Sequence, residues 1–465
     1  MASEHSSPDT NVAVVMVPLP AQGHLNQLLH LSCRLASATS LPIHYIGTAT
    51  HIRQAKLRAH GIRAQGITFH EFPTPLFENP QPNPHSSAQF PEHIYPSASA
   101  TVTYLRGPVH ALVDDLSKKH ERVVIVYDSL MSYVMQDVDR IPNAESYRFW
   151  SISALMVYFL DWHARGRRTR PNLLGNVESI LREIPGTDTL FPNMPSELRS
   201  NSKASVSGNI YNTSRALEGP FLDSLELGGK AAQKQWALGP FNPVEINSTE
   251  RRPHECLDWL DRQEPDSVIF VSFGTTSCFT DEQIEEIALG LERSRHKFVW
   301  ALRDADKGDI FRGEIREPVL PEGFEERVKG RGMVVREWAP QLEILANRGT
   351  GGFLSHCGWN SCMESMTMGV PVATWPVHSD QLVNAALLTN VLKVGIEVRE
   401  WTCGPVVVPS GVVAEAIARL MGSGEGDEIR ERAKELAISL RSSVAEGGVS
   451  HEEMKSFITH ITRWK

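Results

Sequence analysis

Neither a basic surface nor a long apolar run is evident in this sequence of 465 residues. The formal net charge is −9, and no helical pattern has a basic face. Nucleic acids and anionic membranes attract proteins through basic surfaces, so neither is an expected partner. The first apolar run, Val12 to Val17, is much shorter than a signal peptide or a membrane span needs. We therefore expect a cytoplasmic protein.

Metal sites also lack their usual sequence patterns. The six cysteines are Cys33, Cys256, Cys278, Cys357, Cys362 and Cys403. They show no CxxC or Cys/His spacing typical of zinc, so we expect free thiols in a reducing compartment. Asp304-Ala-Asp306 matches the DxD pattern by which some enzymes bind manganese, but its charged surroundings favour a solvated loop. No metal and no other cofactor is predicted.

Short β-rich stretches alternate with helical patterns through most of the chain. Those of the first half are VAVVMV, IHYIG, ITFHEF, RVVIVY and RFWSIS, and those of the second are SVIFVSFG, KFVWAL, GMVVRE, GGFLS, VPVATW and GIEVRE. This alternation predicts an α/β fold class with parallel sheets covered by helices. The length exceeds one hydrophobic core, so two domains are expected. VPLPAQGH stands where a nicotinamide oxidoreductase would have G-x-G-x-x-G, which excludes that class.

Two stretches show no apolar periodicity. Residues Trp236 to Pro253 are rich in proline, asparagine and charge, which indicates an interdomain linker. Residues Pro73 to Ala100 contain many prolines and are predicted to form one long loop. Loops of that length often shape a ligand pocket in α/β proteins.

The stretch SHCGWNS, from Ser355 to Ser361, joins a predicted strand to a predicted helix. A helix that begins at the carboxyl end of a parallel strand offers free backbone N–H groups and the positive end of its dipole. The turn is therefore predicted to bind an anion, with His356 as a further donor. Alternatively, His356 only caps the turn and Trp359 belongs to the core. A nucleophilic Cys357 is disfavoured, because neighbouring side chains in a tight turn rarely face one substrate.

His24 and Asp128 each follow a predicted strand of the first half. His24 lies in PLPAQGHLNQ, after the first strand, and Asp128 ends RVVIVYD. Strand ends of one parallel sheet meet at one edge, so the two side chains can converge. An imidazole suits general-base chemistry near neutral pH, and a carboxylate can fix its tautomer. Taken alone, a histidine such as His24 is more often a helix-start residue, and an aspartate such as Asp128 is more often a helix cap.

From Trp338 to Gln381 the chain resembles, without a gap, the 44-residue signature box of plant UDP-sugar-dependent glycosyltransferases that act on small molecules. The resemblance implies that Trp338 stacks on uracil, that the Ala339 backbone bonds the base, and that Gln341 and Glu364 hold the ribose. The implied diphosphate ligands are Thr275, His356, Asn360 and Ser361. The implied sugar ligands are Trp359, Asp380 and Gln381.

The same resemblance implies an architecture and a mechanism. The fold would be GT-B, with two facing Rossmann-like domains. Residues 1–240 would bind the acceptor, residues 241–448 the UDP-sugar, and residues 449–465 would form a helix that packs back on the first domain. In this family a histidine after the first strand is the base and an aspartate orients it, and His24 and Asp128 occupy those positions. The reaction would be a direct displacement that inverts the sugar carbon.

A narrower resemblance links the chain to zeatin O-glycosyltransferases, through PLPAQGHLNQLLHLSCRLAS and VVIVYDSLMSYVMQD among other stretches. It implies UDP-glucose as donor and a zeatin side-chain hydroxyl as acceptor. Asn26, beside the proposed base, is a candidate hydrogen-bonding partner of the acceptor, although an asparagine at a helix start is just as often structural. Asp380 stands where the family more often has glutamate, so UDP-xylose is kept as an alternative donor. A flavonoid or another phenolic is an alternative acceptor, and non-catalytic UDP-sugar binding is an alternative function. A monomer is expected.

Overall fold

The computed structural model describes residues 11–58, 66–78, 80, 82–83, 91–167, 177–199, 206–228, 233–246, 253–303, 318–398 and 406–463. Within these ranges the chain forms two sheets, of seven and six strands, in which all neighbouring strands are parallel. Helices connect most successive strands, as is usual for parallel pairing, and two 3₁₀ turns lie between β4 and β5. The predicted α/β class with two parallel sheets is confirmed.

The strands have the following bounds. Sheet A contains β1 (Val12–Val17), β2 (Ile43–Thr48), β3 (Ile67–Phe72), β4 (Arg122–Asp128), β5 (Ala144–Trp150), β6 (Gly208–Tyr211) and β7 (Lys234–Ala237). Sheet B contains β8 (Val268–Ser272), β9 (Lys297–Ala301), β10 (Gly332–Val335), β11 (Thr350–Ser355), β12 (Val372–Thr374) and β13 (Gly395–Glu397).

The helices that accompany sheet A are α1 (Gln22–Ala38), α2 (Ala49–Arg58), α3 (Tyr95–Ser117), α4 (Ala154–Ala164), α5 (Val177–Glu183), α6 (Thr187–Leu190) and α7 (Arg215–Gly228). Those that follow along the chain are α8 (Glu255–Leu260), α9 (Asp281–Ser294), α10 (Phe324–Arg327), α11 (Gln341–Ala346), α12 (Trp359–Met368), α13 (Gln381–Ala386), α14 (Ser410–Gly422), α15 (Gly424–Val444) and α16 (Val449–Ile461).

Each sheet has one point at which the order of its strands reverses. The order is β3-β2-β1-β4-β5-β6-β7 in sheet A and β10-β9-β8-β11-β12-β13 in sheet B. Connections leave neighbouring strands in opposite directions at β1/β4 and at β8/β11, which opens a crevice at the carboxyl edge of each sheet. His24 follows β1 and Asp128 ends β4, while His356 follows β11. The topology therefore explains why these side chains lie where ligands of such sheets bind.

Several predicted boundaries are wrong. The short strands β6 and β7 are absent from the sequence prediction, because four residues are too few to show a period. Trp236, assigned to the linker, lies in β7 and is fully buried. The predicted strand RFWSIS ends at Trp150, and Ser153 instead caps α4 by accepting a hydrogen bond from the Met156 N–H.

The predicted loop from Pro73 to Ala100 is also partly wrong. Its last residues form a 3₁₀ turn, Glu92–Ile94, and the first turn of α3. Pro96 lies in that first helical turn, where its missing N–H has no helical partner to lose. Proline at this point therefore begins a helix rather than excluding one.

The last helix, α16, packs against sheet A rather than against sheet B. Met454, Phe457 and Ile461 belong to the apolar cluster on one face of sheet A. Arg122 donates to the Ile461 carbonyl at 2.9 Å, which holds the carboxyl end of the helix against β4.

Within the described ranges, no helix combines the length and the apolarity of a membrane span.

Candidate active site

His24 and Asp128 meet at the crevice of sheet A. His24 Nδ1 lies 2.7 Å from Asp128 Oδ2, and the carboxylate is fully buried while the imidazole side chain is 23% exposed. The second carboxylate oxygen, Oδ1, accepts from the Leu130 N–H at 3.0 Å, so the carboxyl group cannot turn freely. A carboxylate at Nδ1 favours the tautomer with Nδ1–H, which leaves Nε2 as the basic nitrogen.

Ser151 is a third member of this cluster that the sequence did not reveal. Its hydroxyl oxygen lies 2.8 Å from His24 Nδ1. Since Nδ1 carries one proton, Asp128 and Ser151 both accept from the same N–H. Ser151 lies inside the predicted strand RFWSIS. Because β5 ends at Trp150, Ser151 instead lies in the loop after the strand, where its side chain reaches His24.

The surroundings of His24 adjust its basicity in opposite directions. Burial lowers the pKa of His24, but the charge of Asp128, the hydrogen bond to it and the charge of Asp380 together raise the pKa above the ordinary value of 6.5. Asp380 belongs to the second half of the chain, so the imidazole is within electrostatic reach of both halves.

The turn after β11 surrounds His356 with glycine. A Cβ atom on Gly274 or on Gly358 would lie 2.5 Å from His356 Nε2, and Gly274 has a φ of +74°. Side chains at these two positions would displace the ring. Burial lowers the pKa of His356 to about 4, against an opposing hydrogen bond to the Ser272 backbone, so the ring is uncharged at neutral pH. Its Nδ1 is buried and has no hydrogen-bond partner among the described residues.

Three of the predicted nucleotide ligands form one hydrogen-bonded group at the amino ends of α11 and α12. Gln341 Nε2 donates to Ser361 Oγ at 2.9 Å and to Glu364 Oε2 at 2.8 Å. Burial raises the pKa of Glu364 to about 7, with a smaller contribution from the charge of Glu343 and with Gln341 opposing. The group offers one carboxylate and one amide oxygen to a ligand.

Two side chains of the signature box reach across to the first half of the chain. Trp359 Nε1 donates to the Asn212 carbonyl at 2.9 Å, and the indole is buried, with only 3% exposed. Asn360 Nδ2 donates to the Gly23 carbonyl at 2.9 Å. Because Gly23 directly precedes His24, this bond fixes the turn after β11 beside the imidazole.

Comparison with known proteins identifies the family. The family model for "Glycosyltransferase, N-terminal domain" matches residues 10–243, and the model for "UDP-glucoronosyl and UDP-glucosyl transferase" matches residues 241–403. The chain is 50% identical to a zeatin O-glucosyltransferase of Phaseolus lunatus, with 98% of each chain covered. It is 49% identical to a zeatin O-xylosyltransferase of Phaseolus vulgaris, over 98% of this chain and 99% of the relative. The chain belongs to the UDP-glycosyltransferase family.

Solved structures of similar proteins identify the fold of this UDP-glycosyltransferase. A transferase from Siraitia grosvenorii in complex with UDP has a TM-score of 0.74 and 30% identity, covering 97% of this chain and all of the other (100%). A Medicago truncatula enzyme complexed with UDP-glucose has a TM-score of 0.72 and 25% identity, covering 98% and 99% of the two chains. The GT-B fold, two Rossmann-like domains with parallel sheets, is thereby confirmed.

The remaining predicted ligands of this UDP-glycosyltransferase lie after β8, before α11 and on α1. Thr275 follows Gly274 after β8 and is half-buried, and Trp338 and Ala339 are half-buried just before α11. Asn26 lies on α1, where its Oδ1 accepts from Gln22 Nε2 at 2.6 Å. That bond leaves the Asn26 amide nitrogen for other contacts.

Asp380 and Gln381 stand at the start of α13. Burial raises the pKa of Asp380 to about 6, while a hydrogen bond from Asn384 and the charge of His24 oppose the rise. Gln381 Oε1 accepts from the backbone N–H groups of Val377 and His378, at 2.9 and 3.0 Å. Its carbonyl oxygen thus orders the turn, and its amide nitrogen lies 3.3 Å from His378 Nε2.

Metal binding can be assessed only for the described part of the UDP-glycosyltransferase. There, no group of three or more histidine, cysteine or acidic side chains is arranged to hold a metal ion. The DxD stretch, Asp304 to Asp306, lies outside the described residues.

Proposed function

We propose that the enzyme transfers glucose from UDP-glucose to the side-chain hydroxyl of a zeatin-type cytokinin, with inversion at the sugar carbon. The observation that carries this proposal is the His24–Asp128 pair at 2.7 Å, linked through Gly23 to Asn360 of the donor box. The acceptor class is supported by the relatives from Phaseolus, whose names specify zeatin and whose sequences align over 98% of this chain.

The base in this proposal is His24 Nε2. An alcohol has a pKa far above 7, so its proton must be removed as its oxygen attacks the sugar carbon. Asp128 accepts from Nδ1–H at 2.7 Å, which presents the lone pair of Nε2 and stabilises the imidazolium that forms. The new bond joins the acceptor oxygen to the sugar carbon, and the bond from that carbon to the diphosphate oxygen breaks.

The leaving group is stabilised by the turn after β11. UDP departs as an anion, and the proposed ligands of its diphosphate are Thr275, His356, Asn360 and Ser361. His356 supports this assignment, because its buried Nδ1 has no hydrogen-bond partner among the described residues, and the negative charge of a diphosphate there would favour the protonated ring, whose Nδ1–H can donate to it. Backbone N–H groups at the start of α12 add the positive end of a helix dipole. Such preorganised donors can replace the acid that glycosidases need for an alkoxide leaving group.

The nucleoside is proposed to lie on Trp338, with the Ala339 backbone at the base and with Gln341 and Glu364 at the ribose. For the sugar, Asp380 and Gln381 are the proposed side-chain ligands. The indole N–H of Trp359 already bonds Asn212, so this residue is proposed to contact the sugar through its backbone instead of its side chain.

The proposed division of labour follows the two sheets. Residues 1–240 would bind the acceptor and residues 241–448 the UDP-sugar, with residues 449–465 returning to the first domain. The packing of α16 on sheet A supports the last assignment.

UDP-sugar and a small acceptor are the proposed partners, and the proposed reaction uses no metal and no other cofactor. The enzyme is further proposed to be a cytoplasmic monomer.

A direct test is to incubate the purified enzyme with UDP-glucose or UDP-xylose and with cis-zeatin, trans-zeatin or a flavonoid panel. We expect mass spectrometry to detect a hexosyl product on zeatin, and none on the matched cytokinin without a side-chain hydroxyl. A pentosyl product would favour a xylosyltransferase, which the relative at 49% identity supports almost as well. Binding of UDP-glucose without any product would favour a non-catalytic binding protein.

Replacing Glu364 with glutamine tests the proposed ribose contact. We expect the KM for UDP-glucose to rise about 10- to 100-fold at pH 8, because hydrogen bonds to charged groups contribute about 1.5–3 kcal/mol. In the native enzyme this KM should rise as pH falls through about 7, where burial places the pKa of Glu364. Steady-state kinetics at several pH values would measure both effects.

The pH dependence distinguishes a ribose contact from a general loss of stability. The Glu364→Gln variant should lose the step near pH 7, since a glutamine does not ionise. Glu452→Gln, on the exposed surface of α16, should retain the native profile. An unchanged KM in Glu364→Gln would contradict the assignment.

A further inference from the structure

The side chain of Asn384 forms hydrogen bonds to both halves of the chain, through its amide nitrogen and its amide oxygen. It is fully buried on α13. Its Nδ2 donates to Asp380 Oδ2 at 2.7 Å and to the Cys357 carbonyl at 3.0 Å. Its Oδ1 accepts from the Ser153 hydroxyl at 2.8 Å. The three partners come from the proposed sugar site, the turn after β11 and the loop between β5 and α4.

The chemistry of these partners permits one orientation of the amide. A carboxylate and a backbone carbonyl only accept hydrogen bonds, so the NH₂ group must face Asp380 and Cys357. The oxygen of Asn384 is then left for Ser153, which donates its hydroxyl proton. Neither an aspartate nor an alanine could make this set of bonds.

The loop that Asn384 holds also touches His24. Ser153 is two residues from Ser151, whose hydroxyl lies 2.8 Å from His24 Nδ1. The loop is short. Its far end is held by Glu218, which accepts from the backbone N–H groups of Ala154 and Leu155 at 3.0 and 2.8 Å. A shift of Ser153 would therefore be transmitted to Ser151 and to the imidazole.

We infer that Asn384 is a positioning residue that couples the sugar-binding carboxylate to the catalytic imidazole. It fixes Asp380 directly and fixes His24 through Ser153 and Ser151. The inference rests on the proposed function of His24 and Asp380. It assigns to Asn384 two separable effects, one on recognition of the sugar and one on the rate of transfer.

Two variants separate these effects. Asn384→Ala should lower kcat/KM for UDP-glucose about 10- to 100-fold, as the loss of a supporting hydrogen-bond partner typically does. Its Kd for UDP, which lacks the transferred glucose, should change less than about threefold, because Gln341, Ser361 and Glu364 keep their own hydrogen bonds. Ser153→Ala removes the bond across the cleft together with the side-chain cap of α4, but leaves the bond from Asn384 to Asp380 in place. It should lower kcat about 10-fold with little change in the KM for UDP-glucose.

Controls distinguish positioning from stability. Asn143 donates to the carbonyls of Ser117 and His120, at 2.9 Å each, at the opposite edge of sheet A. Asn143→Ala should lower the Tm and leave kcat/KM unchanged.

Asn384→Asp should be at least as impaired as Asn384→Ala at neutral pH, because its carboxylate would face Asp380. Equal losses of UDP and UDP-glucose binding in Asn384→Ala, or native kinetics in both Asn384→Ala and Ser153→Ala, would overturn the inference. Inactivity of the native enzyme would instead count against the proposed function.

Discussion

Replacing His24 with alanine is expected to lower kcat about 10²- to 10⁴-fold, the usual contribution of a general base. The imidazole is the basic group held at 2.7 Å from a buried carboxylate and within electrostatic reach of Asp380, so its loss leaves the acceptor hydroxyl protonated during attack. Initial rates at saturating donor and acceptor would measure the effect.

Binding of UDP should survive this substitution. The proposed nucleotide ligands, among them Gln341 and Glu364, bond one another and do not depend on the imidazole. Titration calorimetry should therefore give a Kd for UDP within about threefold of the native value, as expected for sites without shared partners. His451→Ala, at a half-exposed position on α16, is the matched control and should keep native turnover. Near-native kcat in His24→Ala would refute the role of base.

Replacing Asp128 with asparagine should lower kcat by a comparable factor, about 10²- to 10⁴-fold, although the side chain keeps its shape. The Leu130 N–H requires an acceptor at Oδ1, so the new amide would keep its oxygen there and turn its NH₂ group toward His24 Nδ1. An NH₂ group at Nδ1 donates, and the imidazole would then carry its proton on Nε2. The nitrogen that should act as base would be blocked.

The pH profile of Asp128→Asn adds an independent check. A base works only when it is unprotonated, so native kcat, measured at saturating UDP-glucose, should fall as pH decreases through the pKa of His24, which lies above 6.5. Without the charge of Asp128, burial lowers the pKa of His24, and the acidic limb of the residual activity should move to lower pH. Asp137→Asn, in a surface ion pair with Arg106, should leave the limb in place. An unmoved limb in Asp128→Asn would mean that another group titrates.

The sequence predicted the framework of the site because its signals are local. Strand and helix patterns placed His24 and Asp128 after predicted strands, and the signature box supplied the proposed donor ligands. Parallel pairing of β1 with β4 then brings the first two together, since Val17 pairs with Tyr127. A residue pair of this kind can be inferred without knowing any side-chain contact.

The contacts that connect the two halves were not predictable in the same way. Ser153 and Asn384 are 231 residues apart, and Trp359 and Asn212 are 147 apart. Such bonds depend on how the two domains pack against each other. The hydropathy pattern of a short stretch carries no information about that packing. Ser151 was hidden for a different reason, because the apolar stretch RFWSIS continues past the true end of β5.

The most direct test is a structure of the enzyme with zeatin and an unreactive UDP-glucose analogue. We expect His24 Nε2 to lie about 2.6–3.2 Å from the acceptor hydroxyl, the distance a general base requires. That hydroxyl should face the sugar carbon on the side opposite the diphosphate, which should contact His356. An acceptor hydroxyl out of reach of His24, or one on the same side of the sugar as the diphosphate, would contradict the proposed mechanism.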